Sequence, residues 1–150
     1  MNKLKKRRKG FTLIEMVVVI AIVVIIAAIA IPQALKAINK SKASTDIANA
    51  RTYAGQIMSR SANGDISAAG MTSLKGTNGV ALSSSNSADI LGGEVAVLKL
   101  AGTGNSYVAK YTTDANGNDK ITILVGTGAA TDKEIYPTVA TGSDYANYIK

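Results

Sequence analysis

The chain contains no cysteine, no histidine and no tryptophan, and Phe11 is its single phenylalanine. The absence of cysteine excludes a disulfide framework and a metal site built on thiolates. The absence of histidine removes the side chain that proteins use most often as a general base and as a metal ligand. An enzyme would have to work with Ser, Lys, Asp or Tyr alone. We therefore predict a protein with no catalytic residues, no metal site and no cofactor.

Excess positive charge is confined to one end of the chain. The net charge is +7, from 17 basic and 10 acidic residues, and six of the basic residues lie in the first ten positions (Lys3, Lys5, Lys6, Arg7, Arg8 and Lys9). The rest of the chain is nearly neutral, so the basicity does not indicate a nucleic-acid surface and no nucleic-acid partner is predicted. A short basic block before an apolar run instead holds that end of the segment on the cytoplasmic side of a membrane.

A long apolar run follows the basic block. Residues 11–31 read FTLIEMVVVIAIVVIIAAIAI, in which only Thr12 and Glu15 are polar. As a helix this stretch would be about 30 Å long, the thickness of one bilayer core. Pro32 closes the run, and we expect a kink or a local loosening of the helix there, because proline lacks a backbone donor and crowds the preceding turn.

Beyond Pro32 the sequence becomes amphipathic. Leu35 and Ile38 form one stripe at helical spacing, suited to a partner helix. A second stripe, out of line with the first, is suited to packing on the protein's own head (Ile47, Ala50, Ala54, Ile57 and Met58). We predict one nearly continuous helix over residues 11–61, which Asn63-Gly64 would end.

The remainder predicts a small β-sheet. Residues 64–93 are rich in Gly, Ser, Asn and Ala and are predicted to be an irregular connection with one helical turn near 71–75. Three alternating segments follow, at 94–100, 107–113 and 120–125, with Asn116-Gly117 as a tight hairpin turn and a short edge strand around 135–139. Asp114, Asn116 and Asn118 have the spacing that opens a calcium loop, but the rest of that pattern is missing, which favours a plain hairpin turn.

These elements together predict an α+β fold, in which a long amino-terminal helix, apolar and then amphipathic, packs on a small antiparallel β-meander head. The predicted organisation has three parts. Residues 1–10 would be a cleaved basic leader and residues 11–32 a transmembrane and filament-core segment, while residues 33–150 would hold the amphipathic helix and the head.

The segment Lys9-Gly10-Phe11-Thr12-Leu13-Ile14-Glu15, followed by the apolar run and Pro32, closely resembles the class III prepilin signal of the type IV pilin family. The resemblance implies cleavage by a prepilin peptidase between Gly10 and Phe11 and methylation of the new amino terminus at Phe11. It also implies partners: identical subunits in a helical filament, an assembly platform with its ATPase, and the membrane. Many members have a glycine where this chain has Val24, so an unwound stretch in the filament is not carried over.

Glu15 is the unusual residue of the apolar run. A carboxylate inside a bilayer segment costs a few kcal/mol or more, so it should have a partner. Cleavage after Gly10 would create one, the positive amine of Phe11. In a bundle, Glu15 of one subunit could meet the amine of a neighbour and set the axial register of subunits.

The function predicted on these grounds is a structural subunit, held in the cell membrane as a single-pass precursor. It then polymerises into an extracellular pilus for adhesion, twitching motility or aggregation. One alternative is a pseudopilin of a type II secretion or DNA-uptake apparatus, and another is a membrane-anchored surface binding module. The apolar run alone is also compatible with an ordinary membrane anchor, or with a secretory signal cut after Ala28-Ile29-Ala30, which would release a chain starting at Ile31.

Overall fold

The computed structural model describes residues 10–149, so residues 1–9 of the predicted leader lie outside the described residues. The elements are four helices and four strands over this range: α1 (Leu13–Asn63), α2 (Ala68–Leu74), β1 (Val80–Ala81), α3 (Ser87–Ile90), β2 (Ser106–Thr113), β3 (Asp119–Gly126), β4 (Lys133–Tyr136) and α4 (Asp144–Ile149). The chain divides into two units, Met1–Ala37 and Ile38–Lys150. We call the second unit the head.

Helix α1 confirms the predicted long helix to within two residues at each end. It stops where the sequence indicated, since Gly64 takes a positive φ of 75°. A residue without a Cβ adopts that left-handed conformation without steric cost and so ends a helix. The N–H of Asp65 then donates to the carbonyl of Arg60 at 2.9 Å, which satisfies one of the carbonyls left open by the last turn.

The head contains a four-stranded antiparallel sheet with the order β1-β2-β3-β4, so that each strand pairs with its neighbour in sequence. The β2–β3 hairpin is fully paired from Ser106 opposite Gly126 to Thr113 opposite Asp119. The alternation predicted for these two strands is confirmed, because their alternate residues all belong to the core (Tyr107, Ala109, Tyr111, Ile121, Ile123 and Val125).

The carboxyl-terminal part of α1 covers this face of the sheet and completes the α+β fold that the sequence predicted. Four residues of the second stripe are buried as expected (Ile47, Ala50, Ala54 and Ile57). The prediction that Met58 belongs to this stripe is wrong, because 38% of its surface is exposed. The stripe is instead completed by Ala43, Asp46 and Tyr53, which lie on the same helical face at spacings of three and four residues.

The prediction of a strand at residues 94–100 is wrong. This segment has no regular secondary structure, and Val97 in its centre is 84% exposed while Leu98 is buried. Its backbone donors bond to side chains of α1 instead of to a neighbouring strand. The N–H of Ala96 donates to the Tyr53 hydroxyl at 2.7 Å, and the N–H groups of Lys99 and Leu100 donate to the Asp46 carboxylate.

The connection between α1 and the sheet is more ordered than predicted. It contains α2, whose first turn the Ser67 side chain caps, and α3, and it also supplies the two-residue strand β1 that pairs with β2. The edge strand expected at 135–139 is present as β4 over Lys133–Tyr136. Helix α4 lies in a tail that was predicted to contain only turns and an edge strand.

Asp46 is the main buried polar residue of the head and was not singled out by the sequence. Its carboxylate is fully buried and accepts hydrogen bonds from the hydroxyls of Tyr107 (3.3 Å) and Tyr145 (2.9 Å). It also accepts from the N–H groups of Lys99 and Leu100, both at 2.9 Å. One side chain therefore joins α1 to the 94–100 segment, to β2 and to α4.

The hairpin turn at Asn116-Gly117 is found, in a longer form than predicted. Gly117 has a φ of 84° and is the one turn residue with positive φ, so the loop is not the two-residue type in which both residues are left-handed. The Asp114 carboxylate closes it by accepting from the N–H groups of Asn116 and Asn118, both at 2.8 Å. These hydrogen bonds hold the pKa of Asp114 below its ordinary value.

Candidate functional site: the amino-terminal segment

Helix α1 begins with a capped first turn, which is not among the features predicted above. The Thr12 hydroxyl accepts from the N–H of Glu15 at 3.3 Å, and the Thr12 carbonyl accepts from the N–H of Met16, also at 3.3 Å. This is the geometry of a helix N-cap. The signal was present in the sequence, since Thr-Leu-Ile-Glu fits the capping-box pattern of a threonine followed three residues later by glutamate.

Gly10 lies before the cap, outside the helix and exposed. A Cβ built onto Gly10 would meet no atom within 4 Å, and its φ is outside the left-handed range. The described chain therefore has no conformational or packing need for glycine here. Because Gly10 has no side chain, its backbone is open to close approach by another molecule.

Phe11 is 75% exposed and also lies outside α1. Glu15 is exposed in the first turn of the helix, four residues further along the chain. A carboxylate at this place is favourable to the helix, because the first turn carries unsatisfied N–H groups and the positive end of the helix dipole. The pairing of Glu15 with the Phe11 amine of a neighbouring subunit remains a prediction.

The apolar part of α1 exposes its large side chains on every side, including Val24, which is 66% exposed. Among the residues that the structure describes, one helix, α1, is both long enough and apolar enough to cross a membrane. None of its most apolar stretch is buried. The helix continues through Pro32, so the proline does not end it. A kink or loosening at Pro32 remains a prediction, as does a partner face formed by Leu35 and Ile38, which are both exposed.

Two acidic side chains of the tail, Asp132 and Glu134, accept hydrogen bonds from nearby residues. The carboxylate of Asp132 accepts from the N–H groups of Thr127, Gly128 and Ala129, and so holds the turn after β3. Within residues 10–149 no group of three or more potential metal ligands is assembled.

Comparison with known proteins bears on the same segment. A family model described as the prokaryotic N-terminal methylation motif matches residues 5–31. No curated protein and no solved structure is significantly similar to the chain. The matched residues span the end of the basic block, the capped helix start and the apolar run, and they leave the head outside the match. Pilin-type families with this motif are structural and generally without enzymatic activity. The amino-terminal segment therefore carries the class III signal of type IV pilin-like prepilins, which is the signal of a pilin or pseudopilin substrate of a prepilin peptidase, and this signal and the apolar helix fit a membrane-anchored precursor.

Proposed function

We propose that this chain is a structural subunit that polymerises through α1 into a surface filament. The observation that carries the proposal is the apolar surface of residues 16–31, which is exposed on every side of the helix. Such a surface is stable in a bilayer and unstable in water. In a bundle of identical helices each subunit would cover its neighbours, so the chain could leave the membrane without exposing this surface.

Processing comes first in this proposal. The peptidase cuts between Gly10 and Phe11, and Phe11 becomes the methylated amino terminus. The new positive amine then pairs with Glu15 of an adjacent subunit. In surroundings of low dielectric this pair is strong, and a subunit that left its Glu15 unpaired would pay a desolvation cost of several kcal/mol. Correct axial register is therefore favoured over shifted registers.

The partners follow from this sequence of events. They are the membrane, the prepilin peptidase, identical subunits, and an assembly platform driven by an ATPase. The heads would lie on the outside of an extracellular pilus. The proposal assigns no catalytic residue and no cofactor to the chain.

The first experiment is the mass of the amino-terminal peptide of protein sheared from cells. A methylated Phe11 terminus supports the proposal. A start at Ile31 would mean a secreted soluble protein, and an intact basic leader would mean an ordinary anchor, and either result would overturn it.

The second experiment replaces Glu15 with Ala. We expect leader removal to continue at a near-normal rate and the amount of filament to fall at least tenfold. Glu94→Ala is the matched control, because Glu94 is an exposed acid of the head. Normal filaments from the Glu15 variant would contradict the charge-pairing step.

Two alternatives share part of this evidence. A pseudopilin of a type II secretion or DNA-uptake apparatus uses the same signal and helix but forms short assemblies, which electron microscopy of filament length distinguishes. A membrane-anchored surface binding module would act through the head alone. A head fragment that bound a ligand with full affinity, in cells that make no filaments, would favour that alternative.

A further inference from the structure

The capped start of α1 places the predicted cleavage site immediately outside the helix. Gly10, Phe11 and Thr12 precede the helix, and the hydrogen bond from the N–H of Glu15 to the Thr12 hydroxyl marks its boundary. We propose that Thr12 is a positioning residue for leader removal: its hydroxyl fixes the helix start at Leu13 and so keeps the Gly10–Phe11 peptide bond free for the peptidase. This inference rests on the proposed cleavage after Gly10.

The reaction requires a free carbonyl at Gly10. In hydrolysis the oxygen of one water molecule bonds to the Gly10 carbonyl carbon and the bond from that carbon to the Phe11 nitrogen breaks. Both protons of the water pass to the Phe11 nitrogen, so that the products are a carboxylate on Gly10 and a protonated amine on Phe11. A carbonyl that already accepts a hydrogen bond inside a helix is turned along the helix axis and is poorly placed for this attack.

Loss of the Thr12 hydroxyl would let the helix extend toward the amino terminus until it includes the Gly10 carbonyl. Valine is among the poorest N-cap residues, whereas glycine is nearly as good as threonine. With valine at position 12, the next acceptable cap toward the amino terminus is Gly10. The carbonyl of an N-cap residue accepts the first hydrogen bond of its helix, as Thr12 now does from Met16 at 3.3 Å. In the shifted register the Gly10 carbonyl would accept from the N–H of Ile14.

The test measures cleavage of the full-length precursor in membranes by a prepilin peptidase, with the wild type and three variants. Thr12→Val keeps the side-chain shape and removes the acceptor. Thr12→Ser and Thr12→Asn keep a capping acceptor, and asparagine does so with a different shape. The peptidase would act only on the fraction of precursor whose helix starts at Leu13, with the Gly10 carbonyl free. Because Thr12→Val lowers that fraction, we expect it to raise KM on the order of fivefold with little change in kcat. The Ser and Asn variants should stay within about twofold of the wild type.

Each other outcome has a distinct meaning. If Thr12→Val is cleaved as well as the wild type, the cap has no positioning role. If Thr12→Asn is as slow as Thr12→Val, the peptidase reads the threonine side chain directly and the proposal is wrong. If the wild type itself is cut elsewhere than after Gly10, the proposed processing fails before any variant is compared.

Discussion

Asp46 shows how much of the head depends on a single side chain. It lies on α1, it is fully buried, and its four donors come from the 94–100 segment, β2 and α4. A buried carboxylate is tolerated when it is fully hydrogen-bonded, and it leaves several buried donors unsatisfied when it is changed. The residue therefore has a structural role at the meeting point of three distant segments.

Replacing Asp46 with Asn should destabilise the head strongly. Asparagine has nearly the same shape, but it presents an amide NH₂ where donors now converge. We expect the free energy of unfolding to fall by about 3 kcal/mol, measured by urea denaturation. Asp65→Asn is the matched control, since Asp65 is exposed and its observed hydrogen bonds use its backbone. The control should stay within about 0.5 kcal/mol of the wild type. Equal effects in the two variants would contradict the role given to Asp46.

The two tyrosines that donate to Asp46 predict a loss of stability at alkaline pH. Burial raises the pKa of both Tyr107 and Tyr145 above the ordinary tyrosine value, and the nearby Asp46 charge adds to the rise. The folded state therefore keeps these protons at a pH where the unfolded chain has lost them. The stability that these two protonated tyrosines contribute is fully present below the pKa of tyrosine in the unfolded chain, about 10, and it declines as the pH rises beyond that value.

Tyr145→Phe tests this dependence. The variant should be less stable at neutral pH, and its free energy of unfolding should fall less steeply than that of the wild type between about pH 9 and pH 11. The expected difference in slope approaches 1.4 kcal/mol per pH unit, the value for one proton. Identical slopes would show that Tyr145 does not carry the effect.

A role that depends on a short sequence pattern can be proposed from the sequence, whereas a role that depends on contacts between distant segments cannot. Gly10, Phe11 and Glu15 stand out because their pattern lies within a few positions of an apolar run. Asp46 is separated from Lys99 by 53 residues and from Tyr145 by 99. Nothing beside Asp46 in the sequence distinguishes it from an exposed helical aspartate.

Among the secondary-structure elements, residues 94–100 and 107–113 show why alternation alone does not define a strand. Both segments alternate, but β2 pairs along its whole length with β3, while the backbone donors of the 94–100 segment are taken by Asp46 and Tyr53. A strand exists only where a partner strand is available. The two-residue strand β1 was missed for the opposite reason, because it is too short for any pattern and forms only by pairing with β2.

Two glycines give opposite predictions because their backbones differ. Gly117 adopts a φ of 84°, whereas Gly55 lies inside α1 with no atom within 4 Å of an added Cβ. We expect Gly117→Ala to lower the free energy of unfolding by about 1 kcal/mol through strain in the hairpin turn. We expect Gly55→Ala to raise it by about 0.5–1 kcal/mol through a better helix propensity. Urea denaturation checks both, and a stabilised Gly117 variant would contradict the turn geometry described above.

For the whole molecule, the division at Ile38 predicts a head that folds without the apolar segment. All residues of the hydrophobic core lie at or beyond Ala43. A fragment of residues 38–150 should be soluble and should unfold in one cooperative transition. The full-length precursor should be found in the membrane fraction. Chemical denaturation followed by circular dichroism tests the fragment, and a fragment without a cooperative transition would show that the head needs residues 10–37.

The bond between Tyr145 and Asp46 also has a consequence for the order of events during synthesis. Asp46 emerges from the ribosome 99 residues before the tyrosine that completes its hydrogen bonds. Until Tyr145 has been made, the Asp46 carboxylate lacks one of its four donors. The head therefore cannot complete its core before synthesis has reached α4.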